Sequence, residues 1–409
     1  MRLHIEGPHN KGFSKSIGIT GSKSESNRLL LLQALYPHIS IRNLSNSDDA
    51  QAMGKGVGTI KGEVDIHHAG TAMRFLTGYF ASQEGKSVTL TGSKRMTERP
   101  IKVLVDALHV LGADISYTGN EGYPPLRIHG KKLKKNLVSL PANISSQYIS
   151  SLLLIAPSLE NGLEIDLVGK VTSVPYINMT LSLLDEIGVK TQFNGNRIKV
   201  WPKKDIPPKE ITVESDWSSA SYYYSIVALS DVGAEITLSS YKKNSLQGDS
   251  VLAKVYERLG VETHFGEGSI RLKKVGLQEP GILELDLANA PDTAQTIAVT
   301  CLGLGMGCHL TGLHTLPIKE TDRLAAMQTE LKKFGASVTV THESLTLEAT
   351  DNLTKDIAVD TYNDHRMAMA FAPLALRVPL FINDAGVVSK SYPDFWNDIE
   401  GVGFSTKRA

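Results

Sequence analysis

The residues best suited to chemistry in this 409-residue chain are cations and hydroxyls standing where helical patterns begin. Gly21-Ser22-Lys23-Ser24-Glu25-Ser26-Asn27-Arg28 runs directly into Leu29-Leu30-Leu31-Leu32-Gln33-Ala34-Leu35. A polar turn that opens a helix leaves several backbone N–H groups without intrahelical partners. Those donors and the positive end of the helix dipole favour an anion. Lys23 adds a point charge, Ser24 a hydroxyl and Arg28 a planar fork. The segment predicts a site for a multiply charged, oxygen-rich ligand.

Other segments follow the same grammar. Ala69-Gly70-Thr71-Ala72-Met73-Arg74, Ser145-Ser146-Gln147 before an apolar run, and Thr97-Glu98-Arg99-Pro100 before the helix at Ile101 each place small or polar residues ahead of a helix. Taken singly, each is explained as a helix start. Their convergence on one kind of site is what points to function. Pro317-Ile318-Lys319-Glu320-Thr321-Asp322-Arg323 is sharper. Asp322 can cap the helix near Leu324, but Lys319 and Arg323 put positive charge at the dipole end that disfavours it, which a bound anion would explain. Asp364-His365-Arg366-Met367-Ala368-Met369 has the same shape, and Lys390 precedes the last helix. Asp292, in Ala290-Pro291-Asp292-Thr293, reads equally as an N-cap or, if it faces a pocket of cations, as an ionised proton acceptor.

Composition bounds the possibilities. Lys+Arg and Asp+Glu are both 43, so the net charge is zero and a basic nucleic-acid binder is excluded. Anion affinity must come from local placement of a few cations. Cys301 and Cys308, the two cysteines, read as buried reduced thiols. The twelve histidines show no metal-ligand spacing, and there is neither a Walker motif nor a dinucleotide fingerprint, so neither metal nor cofactor is expected. With no signal core at the N-terminus and no apolar run of about 18 residues, a soluble cytoplasmic protein without membrane contact is expected.

The elements that must position these residues repeat along the chain. An amphipathic helix, a glycine after its last apolar residue and two short alternating strands recur, with the glycines at Gly112, Gly188, Gly260 and Gly335, spaced 76, 72 and 75 residues apart. Gly403 follows 68 further on, and Gly58 is a weaker candidate 54 before Gly112. Six units of about 70 residues, three to a domain, fit the chain. The first is eroded, because only Thr59 to His68 separates Gly58 from the next motif. The polar run from Pro202 to Lys209 suggests the domain seam, with a capped helix starting afresh around Asp216-Trp217. A surface loop inside one domain is the alternative, against which the repeat count argues.

Set in order, these motifs resemble the enolpyruvyl transferases, and among them the 5-enolpyruvylshikimate-3-phosphate synthase family. The resemblance rests on Gly21 to Arg28, Ala69 to Arg74, Arg99-Pro100, Ser145-Ser146-Gln147, Ser173 with Tyr176, Asp292, Lys319 to Arg323, Asp364 to Met369 and Lys390, which span nearly the whole chain. It implies an α/β fold of two inside-out α/β domains, each of three βαβαββ units with the first truncated. The domains would be residues 20–213, on the shikimate 3-phosphate side, and residues 1–19 with 214–409, on the phosphoenolpyruvate side. It implies attack of the 5-hydroxyl of 3-phosphoshikimate on C2 of phosphoenolpyruvate, protonation at C3, and loss of phosphate from a tetrahedral adduct.

By the same resemblance, Lys23, Ser24, Arg28, Ser145, Ser146, Gln147, Ser173, Tyr176, Asp292 and Lys319 hold 3-phosphoshikimate. Lys23, Gly70, Arg99, Gln147, Arg323, Arg366 and Lys390 hold phosphoenolpyruvate. Asp292 is the base for the 5-hydroxyl, and Glu320 with Lys23 handles the proton at C3 and the leaving phosphate. A monomer without metal or cofactor is implied. The chain departs from the family at His68 and Thr315, where Asn is usual, and at Phe75, where Pro is usual. Two rivals are a transferase acting on UDP-N-acetylglucosamine and a non-catalytic anion-binding relative. The first usually has a cysteine where Lys94 stands and lacks Ser-Ser-Gln; intact Asp292, Glu320 and Lys23 argue against the second.

Overall fold

A computed structural model describes residues 1–142, 145–171, 174–277 and 281–409. Its helices come in two kinds, and the difference is written in their composition. Gly70–Ser82 is buried at every residue but Ser82, and Trp217–Ala228 at every residue but Ser218. Ser146–Ile155, Ala294–Leu304 and His365–Phe371 are buried almost throughout. Small and apolar residues all round such a helix leave no face for water, so it sits at a domain centre. Lys102–Leu111, Arg323–Lys333 and Phe395–Val402 bury one face only. The strands alternate, as in Leu126–His129 and Leu163–Val168, packing one face inward. Helices inside and sheets outside make the α/β architecture inside-out.

The chain divides into two compact units, Gly21–Val213 and Met1–Thr20 with Glu214–Ala409. In the first, Lys61–Asp65, Ser87–Thr91, Leu126–His129 and Asp114–Tyr117 form one four-stranded sheet in that spatial order. Leu137–Pro141, Leu163–Val168, Arg197–Val200 and Thr191–Asn194 form a second on the same plan. Each has a parallel pair joined through a helix and then an antiparallel hairpin, which is the βαβαββ pattern. The third sheet has only Lys209–Thr212 parallel to Ile39–Arg42. The helix Asp48–Val57 ends four residues before the strand Lys61–Asp65 begins, so no chain is available for a hairpin there. The residues at 202–208 lead into Lys209–Thr212 within this unit.

The other unit has three four-stranded sheets of the same order. Two of them recruit N-terminal strands: Ser14–Ile17 pairs with Glu235–Ser239, and Leu3–Glu6 lies between Leu380–Ile382 and Ser405–Arg408. Among the described residues, no helix is long and apolar enough to cross a membrane.

The repeat glycines do the work their spacing implied. Gly112, Gly188, Gly260, Gly335 and Gly403 all have positive φ, from 77° to 121°. Gly58 does not; its φ of −75° is ordinary helical backbone, so that helix ends without a left-handed cap. A Cβ at Gly112 would meet nothing within 4 Å, so Gly112→Ala isolates the backbone cost. It is expected to remove about 1–2 kcal/mol of stability in chemical denaturation; a change of a few tenths would mean that the left-handed cap contributes little.

Candidate active site

In each unit the chemically equipped residues stand at helix N-termini. The helix Lys23–Leu35 starts earlier than its leucine run, at Lys23, with Ser22 as N-cap. The ammonium of Lys23 lies 3.7 Å from Asp49, which stands in the first turn of Asp48–Val57. Arg28 is buried and largely enclosed. It donates to Thr180 Oγ1 (2.8 Å), Ser24 O (2.8 Å), Ser150 Oγ (3.1 Å) and Tyr176 O (3.2 Å), tying three helices together. Burial pushes its pKa down to about 10, against the opposing pull of Tyr176 and Glu25. Phe75, one of the family departures, lies with its ring 5.3 Å from the Arg28 guanidinium carbon, a cation–π distance.

A second group forms where Gly70–Ser82 begins. The Arg99 guanidinium packs so close that a Cβ on Gly70 would sit 2.5 Å from its Nη1. Gln147 donates from Nε2 to Thr71 Oγ1 (3.2 Å), which brings it to the same helix start. Ser145 caps Ser146–Ile155 by accepting from Gln147 N (3.4 Å), so it has the structural role of a helix start. Ser146 is buried, Tyr176 is half-buried, and Ser173 lies outside the described residues.

All six site residues expected in the other unit fall on one network. Arg323, 1% exposed, is its centre. It donates from Nε to Asp364 Oδ2 (2.6 Å), from Nη1 to Asp292 Oδ1 (2.8 Å) and from Nη2 to Glu320 Oε2 (2.8 Å). Arg366 donates to Asp292 Oδ2 (3.1 Å) and Ser218 Oγ (3.2 Å), and Lys319 lies 3.5 Å from Asp292. Lys390 donates to the carbonyl of Asn363, next to Asp364. Asp322 and Asp364 are N-caps. Asp292 is not: the helix after it has no side-chain cap, and its carboxylate is given to the cations.

Arg323, a cation at a helix start, has negative charge supplied from within the chain by Asp364, Asp292 and Glu320. Burial alone would raise the pKa of Asp292. Arg366, Lys319 and Arg323 together outweigh it and hold the carboxyl far below its usual range. Burial likewise works against the charge of Arg323, and its three carboxylates reverse that effect. Buried Nε atoms of Arg99 and Arg366 have no hydrogen-bond partner. Thr315 Oγ1 is similarly without a partner. Among the described residues, no cluster of His, Cys, Asp and Glu is arranged to hold a metal ion.

Sequence reasoning missed Ser218 and Asp249. Ser218 bridges Arg366 to Asp249, donating to Asp249 Oδ2, while Asp249 Oδ1 is buried without a partner. Both stand at helix starts of the repeat unit that contributed nothing to the expected site, so the repeat itself was the available signal. Burial first, and then the charge of Asp292, pushes Asp249 up to about 6. A carboxyl raised on folding favours the native state below its unfolded value and loses that contribution as pH climbs through about 6. Asp249→Asn keeps an acceptor for Ser218 and removes the charge. Its thermal and chemical stability should exceed wild type at pH 8, by roughly 2–3 kcal/mol, with the gap closing toward pH 4. A gap independent of pH would show that Asp249 is not charged at the cost of stability.

Comparisons with known proteins agree across the chain. Residues 61–399 match the family EPSP synthase (3-phosphoshikimate 1-carboxyvinyltransferase). A protein of Bacteroides fragilis (strain YCH46) named 3-phosphoshikimate 1-carboxyvinyltransferase is 45% identical, covering 100% of this chain and 99% of its own. One of the same name from Haemophilus influenzae (strain ATCC 51907 / DSM 11121 / KW20 / Rd) is 37% identical, covering 95% of this chain and 96% of its own. The solved EPSP synthase of Acinetobacter baumannii shares the fold with a TM-score of 0.79 over 100% of both chains, at 21% identity. This chain belongs to the EPSP synthase (3-phosphoshikimate 1-carboxyvinyltransferase) family.

Proposed function

We propose that this chain transfers the enolpyruvyl group of phosphoenolpyruvate to the 5-hydroxyl of 3-phosphoshikimate and releases phosphate. The observation that carries this reading is the ionised Asp292 held by Arg323, Arg366 and Lys319 in a chain of that family. A carboxylate among cations is a proton acceptor placed where anionic substrates bind. Among these three cations it is a weak base, because they stabilise its charge. Substrate phosphate and carboxylate groups draw on the same cations. Their arrival relieves that stabilisation and raises the basicity of Asp292 when the 5-hydroxyl is in reach.

The reaction then proceeds by addition and elimination. The 5-oxygen bonds to C2 of phosphoenolpyruvate as Asp292 takes the hydroxyl proton and C3 gains a proton. C3 then loses a proton, the C2–O bond to phosphate breaks, and the enol ether forms. Glu320 and Lys23 are assigned to the C3 proton and the leaving phosphate. Lys23, Ser24, Arg28, Ser145, Ser146, Gln147, Ser173, Tyr176, Asp292 and Lys319 are assigned to 3-phosphoshikimate. For Arg28, the enclosure described above makes much of its contribution the placement of Ser24 and Tyr176. Lys23, Gly70, Arg99, Gln147, Arg323, Arg366 and Lys390 are assigned to phosphoenolpyruvate. Cations fixed before the reaction stabilise developing charge without reorganising. We assign residues 20–213 to the 3-phosphoshikimate side and residues 1–19 with 214–409 to the phosphoenolpyruvate side, and place the protein in the cytoplasm as a monomer.

Phosphate release that needs both phosphoenolpyruvate and 3-phosphoshikimate tests the activity; release with UDP-N-acetylglucosamine instead would overturn it. Asp292→Ala should lose about 100-fold or more in turnover, with a much smaller loss of 3-phosphoshikimate affinity because nine other assigned residues remain. Near-normal turnover would remove Asp292 from its role as base. Gly70→Ala should displace Arg99 and raise KM for phosphoenolpyruvate about tenfold, while KM for 3-phosphoshikimate changes little. Equal effects on both would argue against the assignment of Arg99.

A further inference from the structure

The turn that delivers Asp364 and Arg366 is built against backbone preference. Tyr362 and Asn363 have φ of 52° and 56°, two consecutive left-handed residues, neither of them glycine. Asparagine tolerates that region; tyrosine does not do so readily. Burial of the tyrosine ring does not hold the turn, because Tyr362 is 38% exposed. Its hydroxyl instead donates to Glu330 Oε1 at 2.6 Å. Glu330 is fully buried, and its other oxygen accepts from Asp360 N (3.1 Å) and pairs with Lys333 (2.8 Å).

Glu330 lies two helical turns after Arg323 on the helix Arg323–Lys333. One helix therefore grips this segment twice, through Arg323 on Asp364 and through Glu330 on Tyr362 and Asp360. Downstream of the turn, Asp364 accepts from Arg366 N (2.9 Å), and the carbonyl of Asn363 accepts from Lys390. Two cations thus take their position from the conformation of this turn.

We propose that Glu330 and Tyr362 form a latch that holds the turn at 361–364 in its left-handed form and so positions Arg366 and Lys390 for the smaller substrate. Neither latch residue touches the reacting atoms; both are positioning residues. The inference rests on the assignment of Arg366 and Lys390 to phosphoenolpyruvate made above.

Three variants of the full chain test it by steady-state kinetics. Tyr362→Phe removes only the hydroxyl and should raise KM for phosphoenolpyruvate about tenfold, with KM for 3-phosphoshikimate within about twofold of wild type. Tyr362→Gly lacks the hydroxyl too, yet adopts positive φ freely, and should return KM for phosphoenolpyruvate to within about threefold. That rescue would not occur if the ring or hydroxyl mattered only for general stability. Arg366→Lys separates the two possible failures. If it raises KM for phosphoenolpyruvate and Tyr362→Phe does not, the latch is wrong and the site assignment stands. If Arg366→Lys leaves that KM unchanged, the assignment fails and the latch inference falls with it.

Discussion

A buried guanidinium shared by three carboxylates is the constraint around which the C-terminal unit is arranged. Arg323 cannot be charged and dry without partners, since stripping water from an ion costs several kcal/mol. Asp364 meets it edge-on through Nε and Nη2, and Asp292 and Glu320 take the remaining corners. Each of those acids comes from a different place in the chain or the helix start, so satisfying one cation brings together three pieces of the candidate site. Removing one partner of such a cluster typically costs about 3–5 kcal/mol. The same residues therefore support both the fold and the chemistry proposed for it. Groups that hold one another in position in this way can stabilise developing charge with little reorganisation. In the mechanism proposed, the corresponding drawback is that these cations make Asp292 a weak base until substrate anions share them.

The repeat explains why the candidate site residues appear where they do. Helices apolar on every face must lie at a domain centre, and sheets with one apolar face must cover them. Repetition of the unit then produces a family of helix N-termini, each with unpaired N–H groups and a positive dipole end. Lys23, Gly70, Ser145, Ser218, Asp292, Arg323 and Arg366 all stand at or beside such starts. The unit that lost its hairpin still keeps both helices, Lys23–Leu35 and Asp48–Val57, and with them Lys23 and Asp49. The shorter unit has two outer strands where the others have four, and its helix starts are in place.

Much of the fold follows from features that act over a few residues. Left-handed glycines at a spacing near 75 residues mark helix ends because only the missing Cβ makes that conformation easy. Asp216, Asp322 and Asp364 cap helices through bonds reaching no more than three residues. Asn194-Gly195-Asn196 turns a hairpin between two alternating strands. The family motifs are legible for the same reason, since each is a short local string.

The recurring helix, glycine and strand pair, the six repeating units and the list of cation-bearing helix starts were determined by the sequence alone, because each depends on short-range backbone geometry and periodic burial. Only the tertiary structure decided which charges meet. Arg28 closes on Thr180 across 152 positions, Arg366 on Asp292 across 74, and Arg323 on Asp364 across 41. Ser218 and Asp249 gained their place beside Arg366 in the same way. No local pattern records such pairings. They arise when packing excludes water and each buried charge must find a partner, and that requirement exists only in the folded chain.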